Sequence, residues 1–524
     1  MNQKYLRPFR IITATVLLIL TSSIFLDIRE HIPIKLFNII LFPQFTPSLL
    51  KFIKTLSWMS VGFIFIILLS LLFGRIYCSF LCPLGIFQDI ISFFSKKFKF
   101  LKRYKFSKAY NYIRYSLLGL TIIFLFFNII FFVTLLDPYS NFGRIMNGLI
   151  RPSLILGNNL LAIILEKLNI YYFSPLQVKT NLLAIIFPIS LLLILIWFAG
   201  KRGRLFCNTI CPIGTFLGII SKFSIYKIKI NKDTCISCGK CSFACKSECI
   251  SIKDKSVDFT RCVGCMNCIT TCETNDIQYQ LSFGNKNITG ESNIDKRIFF
   301  KKTVSSVLLY IGITEILKSQ TSAVKSSLKK FKPSRVSYKK SFNVTPPGSE
   351  SHEHFNNTCT ACHLCISVCP TKVLQPATLQ YGLKGFMQPH MDYSTNYCNY
   401  ECTRCSETCP TGAILPLQIE EKKTKQLGKV IFIKDNCVVY TENTACGSCA
   451  EHCPTKAVHM IPYKDNLTIP ETNQKICIGC GACEYACPMR PFKAIYVDGN
   501  DVHQLAEKPV IEKIDNVEMD DFPF

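Results

Sequence analysis

Histidine is nearly missing from the first two thirds of this 524-residue chain: of eight in all, only His31 precedes residue 352. A b-type haem inside a membrane needs histidines on its helices as axial ligands, so the N-terminal part carries none. Charge is scarce too, at 18% of residues, and acid is the scarcer sign: 35 Asp and Glu against 60 Lys and Arg, a net of +25. No glycine-rich fingerprint for a flavin or nicotinamide is present, so hydride chemistry would need a partner. No basic patch carries a nucleic-acid fold signature, which removes nucleic acid as a partner class. No regulatory output domain is visible, so a redox sensor is a poor reading.

Cysteine is what the chain has in excess, with 29 residues. Twenty-four fall into six groups of four. Two share the spacing C-x2-C-x2-C-x3-C: Cys235, Cys238, Cys241, Cys245, and Cys262, Cys265, Cys268, Cys272. Four more follow: Cys359, Cys362, Cys365, Cys369; Cys398, Cys402, Cys405, Cys409; Cys437, Cys446, Cys449, Cys453; and Cys477, Cys480, Cys483, Cys487. Each of these four ends in Cys-Pro. This is the ligand run of bacterial-type ferredoxins, where the fourth cysteine ligates the neighbouring [4Fe–4S] cube. Six clusters are expected, about 24 irons in all. In the first pair, Cys235, Cys238 and Cys241 should share a cluster with Cys272, and Cys262, Cys265 and Cys268 with Cys245. Cys249 reads as a small buried hydrophobe, with a fourth ligand in place of Cys245 as the alternative. Among the last four runs, exchange between sequence neighbours and a nested arrangement both remain open. The fourth cysteine is expected to start a helix, with proline at its first position.

Three other readings compete. A disulfide scaffold this dense in cysteine is normally much shorter. Zinc sites show separated C-x-x-C knuckles rather than a fused triple. Cys359-Thr-Ala-Cys362-His363 spells the C-x-x-C-H of a c-type haem, but it sits inside a complete cluster run.

Hydrophobic residues make up 49% of the chain and mean hydropathy is +0.26, so part of it belongs in lipid. The strongest windows are Ile11 to Leu26, Val61 to Phe73, Tyr112 to Leu136 and Leu182 to Phe198. With flanks, each can reach the roughly 20 residues of a span. Leu36 to Phe42 and Leu154 to Leu165 are softer, re-entrant stretches or additional spans; four helices are expected, six the alternative. Segments 1–10, 75–114 and 200–230 hold 18 Lys and Arg, against 8 in 27–54 and 137–179. The positive-inside rule puts the first three in the cytoplasm, with the cluster pair that follows. Residues 1–358 carry a net +29 and residues 359–524 a net −4. Anionic membrane lipid is the natural partner of the basic part.

Four further cysteines form a repeated box, Gly74-Arg75-Ile76-Tyr77-Cys78-Ser79-Phe80-Leu81-Cys82-Pro83-Leu84-Gly85 and Gly203-Arg204-Leu205-Phe206-Cys207-Asn208-Thr209-Ile210-Cys211-Pro212-Ile213-Gly214. Each copy follows an expected span. A repeated thiol pair at a lipid boundary points to redox work: Cys78, Cys82, Cys207 and Cys211 are candidate ligands of one more metal or cluster, or two thiol/disulfide couples. The competing reading is that C-x3-C-P merely breaks a helix and packs.

The chain divides into a membrane domain at 1–229, a two-cluster ferredoxin at 230–284, a basic connector at 285–345, a four-cluster domain at 346–500 and an acidic tail at 501–524. In the connector, Asp295 to Lys302 precedes an apolar helix at Val304 to Leu317, in the manner of a twin-arginine export signal; a surface helix is the alternative. Short strands are expected at Lys429 to Ile433 and Ala494 to Val497. The fold class is a polytopic α-helical membrane domain plus α+β ferredoxin-like iron–sulfur domains, one two-cluster unit and one four-cluster unit.

Residues 1–280, with spans, two Cys-x3-Cys-Pro boxes and a cluster pair, resemble the NapH-type membrane ferredoxins. From about 295 onward the chain resembles the NapG/MauM-type ferredoxins, through the twin-arginine-like start, Pro346-Pro347-Gly348-Ser349, Phe355 and four cluster runs. The whole looks like both in tandem. That resemblance implies a quinol dehydrogenase-like module of the bacterial inner membrane, with menaquinol or ubiquinol as substrate. It would act by single-electron transfer, with the four-cluster domain periplasmic and delivering to a periplasmic reductase or cytochrome. The alternative within related families is a redox maturation or assembly factor for another metalloenzyme.

Overall fold

The computed structural model describes residues 3–28, 31–55, 60–98, 104–169, 171, 174–176, 182–282, 336–378 and 380–508. The export-signal-like run and the Val304 to Leu317 helix lie outside the described residues, as does the tail beyond 508.

Leucine, isoleucine and phenylalanine runs fold as helices because only a helix satisfies every backbone polar group within its own segment. Leu6–Leu26, Pro138–Glu166 and Ala184–Arg202 are long and apolar enough to cross a membrane. Ile34–Leu41 and Phe45–Lys54 meet at 103° as a broken fourth. Two expected spans are corrected. Gly62–Phe73 has 12 residues, about 18 Å at 1.5 Å per residue. The Tyr112 to Leu136 window splits into Asn111–Phe126 and Phe131–Leu136, because Asn128 takes a φ of 57°, which a right-handed helix cannot continue through. Leu154 to Leu165 belongs instead to the 29-residue Pro138–Glu166 helix. That helix starts sharply: Pro138 fills its first position and Asp137 caps it by accepting from the Ser140 N–H.

The Leu6–Leu26 helix sets the scale of the bundle. Near its start, Arg10 pairs with Asp89 at 2.9 Å, while Gln3 and Arg7 reach Tyr279 and Thr270 of the first cysteine unit. Near its end, Phe25 packs on Tyr139 and Phe142 and on Gly143, where the Cys362 carbonyl passes so close that any Cβ would collide with it. Arg10 to Phe25 is a rise of about 22 Å. The two cysteine units therefore dock at opposite ends of one helix. Arg144 donates to the Thr360 and Ala361 carbonyls, both at 2.9 Å, and Arg151 donates to the Ser367 carbonyl. The first turns of Pro138–Glu166 thus run along the face that receives the second unit. Its length does not make it a crossing.

The first cysteine unit is closed by antiparallel strands Tyr226–Ile230 and Ile277–Leu281, which bracket both of its cysteine runs. In the second unit, Lys425–Phe432 pairs with Ile495–Leu505, and smaller hairpins join Leu374–Pro376 to Pro389–Met391 and Val458–Pro462 to Thr468–Thr472. The expected strands at 429 and 494 are present and pair with each other. The second of them continues to Leu505, so the acidic tail starts later than 501. One buried core joins everything: Cys78, Cys82, Cys207 and Cys211 share it with Val263 and Cys265 of the first unit and Cys362 and Leu364 of the second.

Candidate iron–sulfur and thiol centres

In the runs the short helix ends near the fourth cysteine rather than starting there, which corrects the sequence expectation. Cys245, Cys272, Cys409 and Cys487 are the C-terminal caps of Lys240–Ala244, Asn267–Thr271, Arg404–Thr408 and Ala482–Ala486, in extended or non-helical conformations. Proline after such a cysteine suits a chain that must not continue the helix. The box prolines do the opposite: Pro83 and Pro212 stand at the first turn of Pro83–Lys97 and Pro212–Ser221, with Cys82 and Cys211 as N-caps.

Capping positions send each fourth thiol to its neighbour. Cys235, Cys238, Cys241 and Cys272 line one pocket. Cys262, Cys265, Cys268 and Cys245 line another, together with Cys249. Cys249 Sγ lies 3.5 Å from Cys245 Sγ, so both stay candidates there. In the second unit, Cys437, Cys446 and Cys449 line a pocket with Cys487 of the next run. The other sets are read from mutual electrostatic influence. Burial raises the pKa of the Cys359, Cys362 and Cys365 thiols, Cys362 to about 12, and Cys409 adds to each. Burial lifts Cys398 to about 11 and also raises Cys405, with Cys369 adding to both. Burial raises Cys480 to about 12 and also raises Cys483, with Cys453 contributing. In all three pairs the thiols thus group as exchange between sequence neighbours would need, rather than as a nested arrangement would.

The cavities fit an anionic, thiolate-bound cluster. Ser237 and Gly239, Gly264 and Met266, Ala361 and His363, and Gly479 and Gly481 occupy equivalent places in four runs, and all have positive φ between 52° and 81°. Such turns aim successive backbone N–H groups inward, the nest found at many iron–sulfur sites. The runs with irregular spacing, at Cys398 and Cys437, lack the pair. Like-charge crowding of four buried thiols disfavours bare thiolates, and bound metal ions reverse that by taking the sulfur deprotonated. Among the described residues, no three His, Cys, Asp or Glu are close enough to share one ion. Zinc would need its thiolates at about 2.3 Å, whereas a cubane keeps its ligands at separate corners. His363 does not act as a haem ligand here: its Nε2 bonds the Met387 carbonyl at 2.9 Å, and burial with nearby Arg144 pushes its pKa down to about 3.

The two boxes clasp each other. Arg75 donates to the Cys207 carbonyl at 3.1 Å, and Arg204 to the Cys78 carbonyl at 2.6 Å. All four box cysteines are buried, and Cys82 lies within electrostatic range of Cys78, Cys207 and Cys211. Both arginines also hold the first unit: Arg75 reaches the Thr260 carbonyl at 2.9 Å, and the Arg204 N–H the Lys246 carbonyl at 3.1 Å. Arg204, Arg10 and Lys246 converge on Asp89. Sequence reading found the box thiols but missed these arginines, although each stands in the repeated motif. It also missed Arg144, whose signal was a lone cation in an apolar stretch.

Glycine at the end of each box is required by the clasp. A Cβ on Gly85 would collide with the Cys78 carbonyl and Arg204, and one on Gly214 with the Cys207 carbonyl and Arg75. Gly214→Ala is expected to destabilise the protein by about 1–3 kcal/mol through overpacking. Gly119→Ala, where nothing lies within 4 Å, should be neutral or stabilising by up to about 1 kcal/mol, as alanine favours a helix. Thermal unfolding in detergent compares them. Equal melting of both variants would refute the clasp.

A family model described as "4Fe-4S binding domain" matches residues 55–100 and 184–232, one box in each match. A second, "4Fe-4S dicluster domain", matches residues 444–491, over the last two runs. The ferredoxin-type protein NapF of Escherichia coli K12 is 30% identical over 159 residues, 30% of this chain and 88% of NapF. This chain belongs to that ferredoxin-type family. It is an iron–sulfur electron-transfer protein with [4Fe–4S] binding domains. The methylamine utilization ferredoxin-type protein MauM of Methylophilus methylotrophus is 28% identical over 28% of this chain and 66% of its own length. The candidate electron transport protein YccM of Escherichia coli K12 is 26% identical over 39% of this chain, which spans about half of YccM. No solved structure matches the chain.

Proposed function

We propose that this chain carries electrons across the bacterial inner membrane, from quinol to a periplasmic reductase or cytochrome. Six [4Fe–4S] clusters would be held by the six exchanged thiol sets, and a further redox centre by Cys78, Cys82, Cys207 and Cys211. Such clusters, when bound, each take and release one electron. The observation that carries the reading is the placement of the two cysteine units at opposite ends of the Leu6–Leu26 helix, with four buried thiols in the core between them.

Adjacency of the sets supports it. Gly264, in the set of Cys262, packs on Ile76 within the first box. On the opposite end, Tyr139 feels both Cys362 and Cys409. Further out, the Cys398 N–H bonds the Cys480 carbonyl at 3.0 Å, joining the second and fourth runs of that unit. Cys238, at the far edge of the first unit, is exposed. The positive-inside distribution supports a cytoplasmic first unit; docking at the other end of the Leu6–Leu26 helix then gives the four-cluster unit the periplasmic side.

Anaerobically purified protein in liposomes is expected to lose its visible iron–sulfur absorbance on addition of reduced quinol. Bleaching by dithionite alone would remove quinol from the reading. Reporters fused after residues 285 and 500 should report opposite sides; the same side would remove periplasmic delivery.

A further inference from the structure

One cavity of the membrane part is left over once the cysteines are accounted for. It is a cleft of about 240 Å³ lined by apolar side chains that include Phe45, Phe63, Leu118, Val133 and Phe216, with Asp137 among them. Asp137 is 2% exposed. Its Oδ2 accepts the N–H and hydroxyl of Ser140 at 2.8 and 2.7 Å. Its Oδ1 is buried and makes no hydrogen bond, although the Thr46 side chain stands beside the carboxyl. An unsatisfied buried acceptor costs on the order of 1–3 kcal/mol, and an ionisable group at membrane depth is a marker of function.

The cleft also adjoins the redox thiols. One wall is the start of the helix at Pro212, directly after box residue Cys211. Asp137 is within electrostatic range of Tyr77, itself beside Cys78 and Cys82, and of Cys362 in the second unit. A pocket with room for one ring, apolar walls and one placed polar group suits a small aromatic ligand. A lipid acyl chain would have no use for the carboxylate.

We propose that this cleft binds the ring of a membrane quinol, and that Asp137 Oδ1 accepts a proton from a quinol hydroxyl. The proposal rests on the quinol-oxidising reading above and names the site for it. Oxidation of one quinol to quinone breaks two O–H bonds and releases two protons and two electrons. The electrons pass singly to the protein's iron–sulfur centres. The first proton goes to Asp137, which hands it on to water before the second hydroxyl gives up its proton by the same route.

The test uses full-length, cluster-loaded protein in liposomes, with a photoreactive azidoquinone and duroquinol as probes. The photolabel is expected on peptides of the cleft, displaced by excess unlabelled quinone. Thr121→Trp, which fills the cleft, should abolish labelling and slow duroquinol reduction more than tenfold, with dithionite reduction intact. Asp137→Asn keeps a capping side chain; it should retain labelling, slow reduction at least tenfold, and make the rate climb with pH as hydroxide replaces the lost base. Label elsewhere, or label that quinone does not displace, would make the cleft an acyl-chain groove and overturn the site. A wild-type rate in Asp137→Asn would overturn the proton role. Labelling of the cleft without any duroquinol reduction of the wild type would instead bring down the quinol-oxidising reading, and the proton transfer with it.

Discussion

Alanine in place of Cys409 is expected to empty the set built from Cys359, Cys362 and Cys365, not the set of its own run. Cys409 caps the Arg404–Thr408 helix and leaves it in an extended conformation, and its influence falls on those three thiols. One lost ligand should remove one cube, about four irons per chain. Double variants make the assignment decisive. Cys362→Ala with Cys409→Ala should lose no more iron than either alone, because both serve one cluster. Cys405→Ala with Cys409→Ala should lose about eight, because they serve two. Iron and sulfide analysis with electron paramagnetic resonance reads both numbers. The reverse pattern would return each fourth cysteine to its own run.

Arg144→Ala is expected to loosen the second cysteine unit from the bundle. The guanidinium is buried and donates to the Thr360 and Ala361 carbonyls at 2.9 Å and to the Thr134 carbonyl at 2.6 Å. Each carbonyl left without a donor costs about 1–3 kcal/mol. Lysine should rescue poorly, since its ammonium lacks the planar fork that serves several acceptors at once. Faster proteolysis or hydrogen exchange around residues 336–369, with unchanged exchange in residues 226–281, is the expected signature. A wild-type exchange pattern in Arg144→Ala would show that Arg151, Gly143 and Phe187, whose ring meets Phe386 edge-on at 5.4 Å, suffice to hold the unit.

How much of this was legible depended on range. Cysteine spacing is local, so the six runs and the two boxes could be read directly, and the exchange in the first pair followed from the chemistry of two-cluster ferredoxins. Exchange in the four-run unit was not readable, because it depends on which short helices pack: Leu364–Ser367 lies against Arg404–Thr408, and Ser448–Glu451 against Ala482–Ala486. Hydropathy marked the apolar stretches but not their breaks. Asn128 divides a continuous apolar window that the Asp137-Pro138 cap ends, and hydropathy averages over the break. Helix direction at the fourth cysteine was misread because proline fits either end of a helix, first turn or just past the last. Asp137 stood at the end of an apolar run, visible as a residue, yet only tertiary packing left its Oδ1 without a partner.

The crossed arginines of the two boxes have the form of an isologous contact, in which one copy's residue i meets the other's j and the reverse also holds. Identical chains carrying a single box each would have to associate as a two-fold pair to make the same four-thiol pocket, and their pairing would depend on concentration. Joining both copies on one polypeptide makes that association intramolecular, with a fixed high effective concentration. Once paired in this way, the halves are free to diverge: Asp89 serves Arg204, whereas Asn208 serves Arg75.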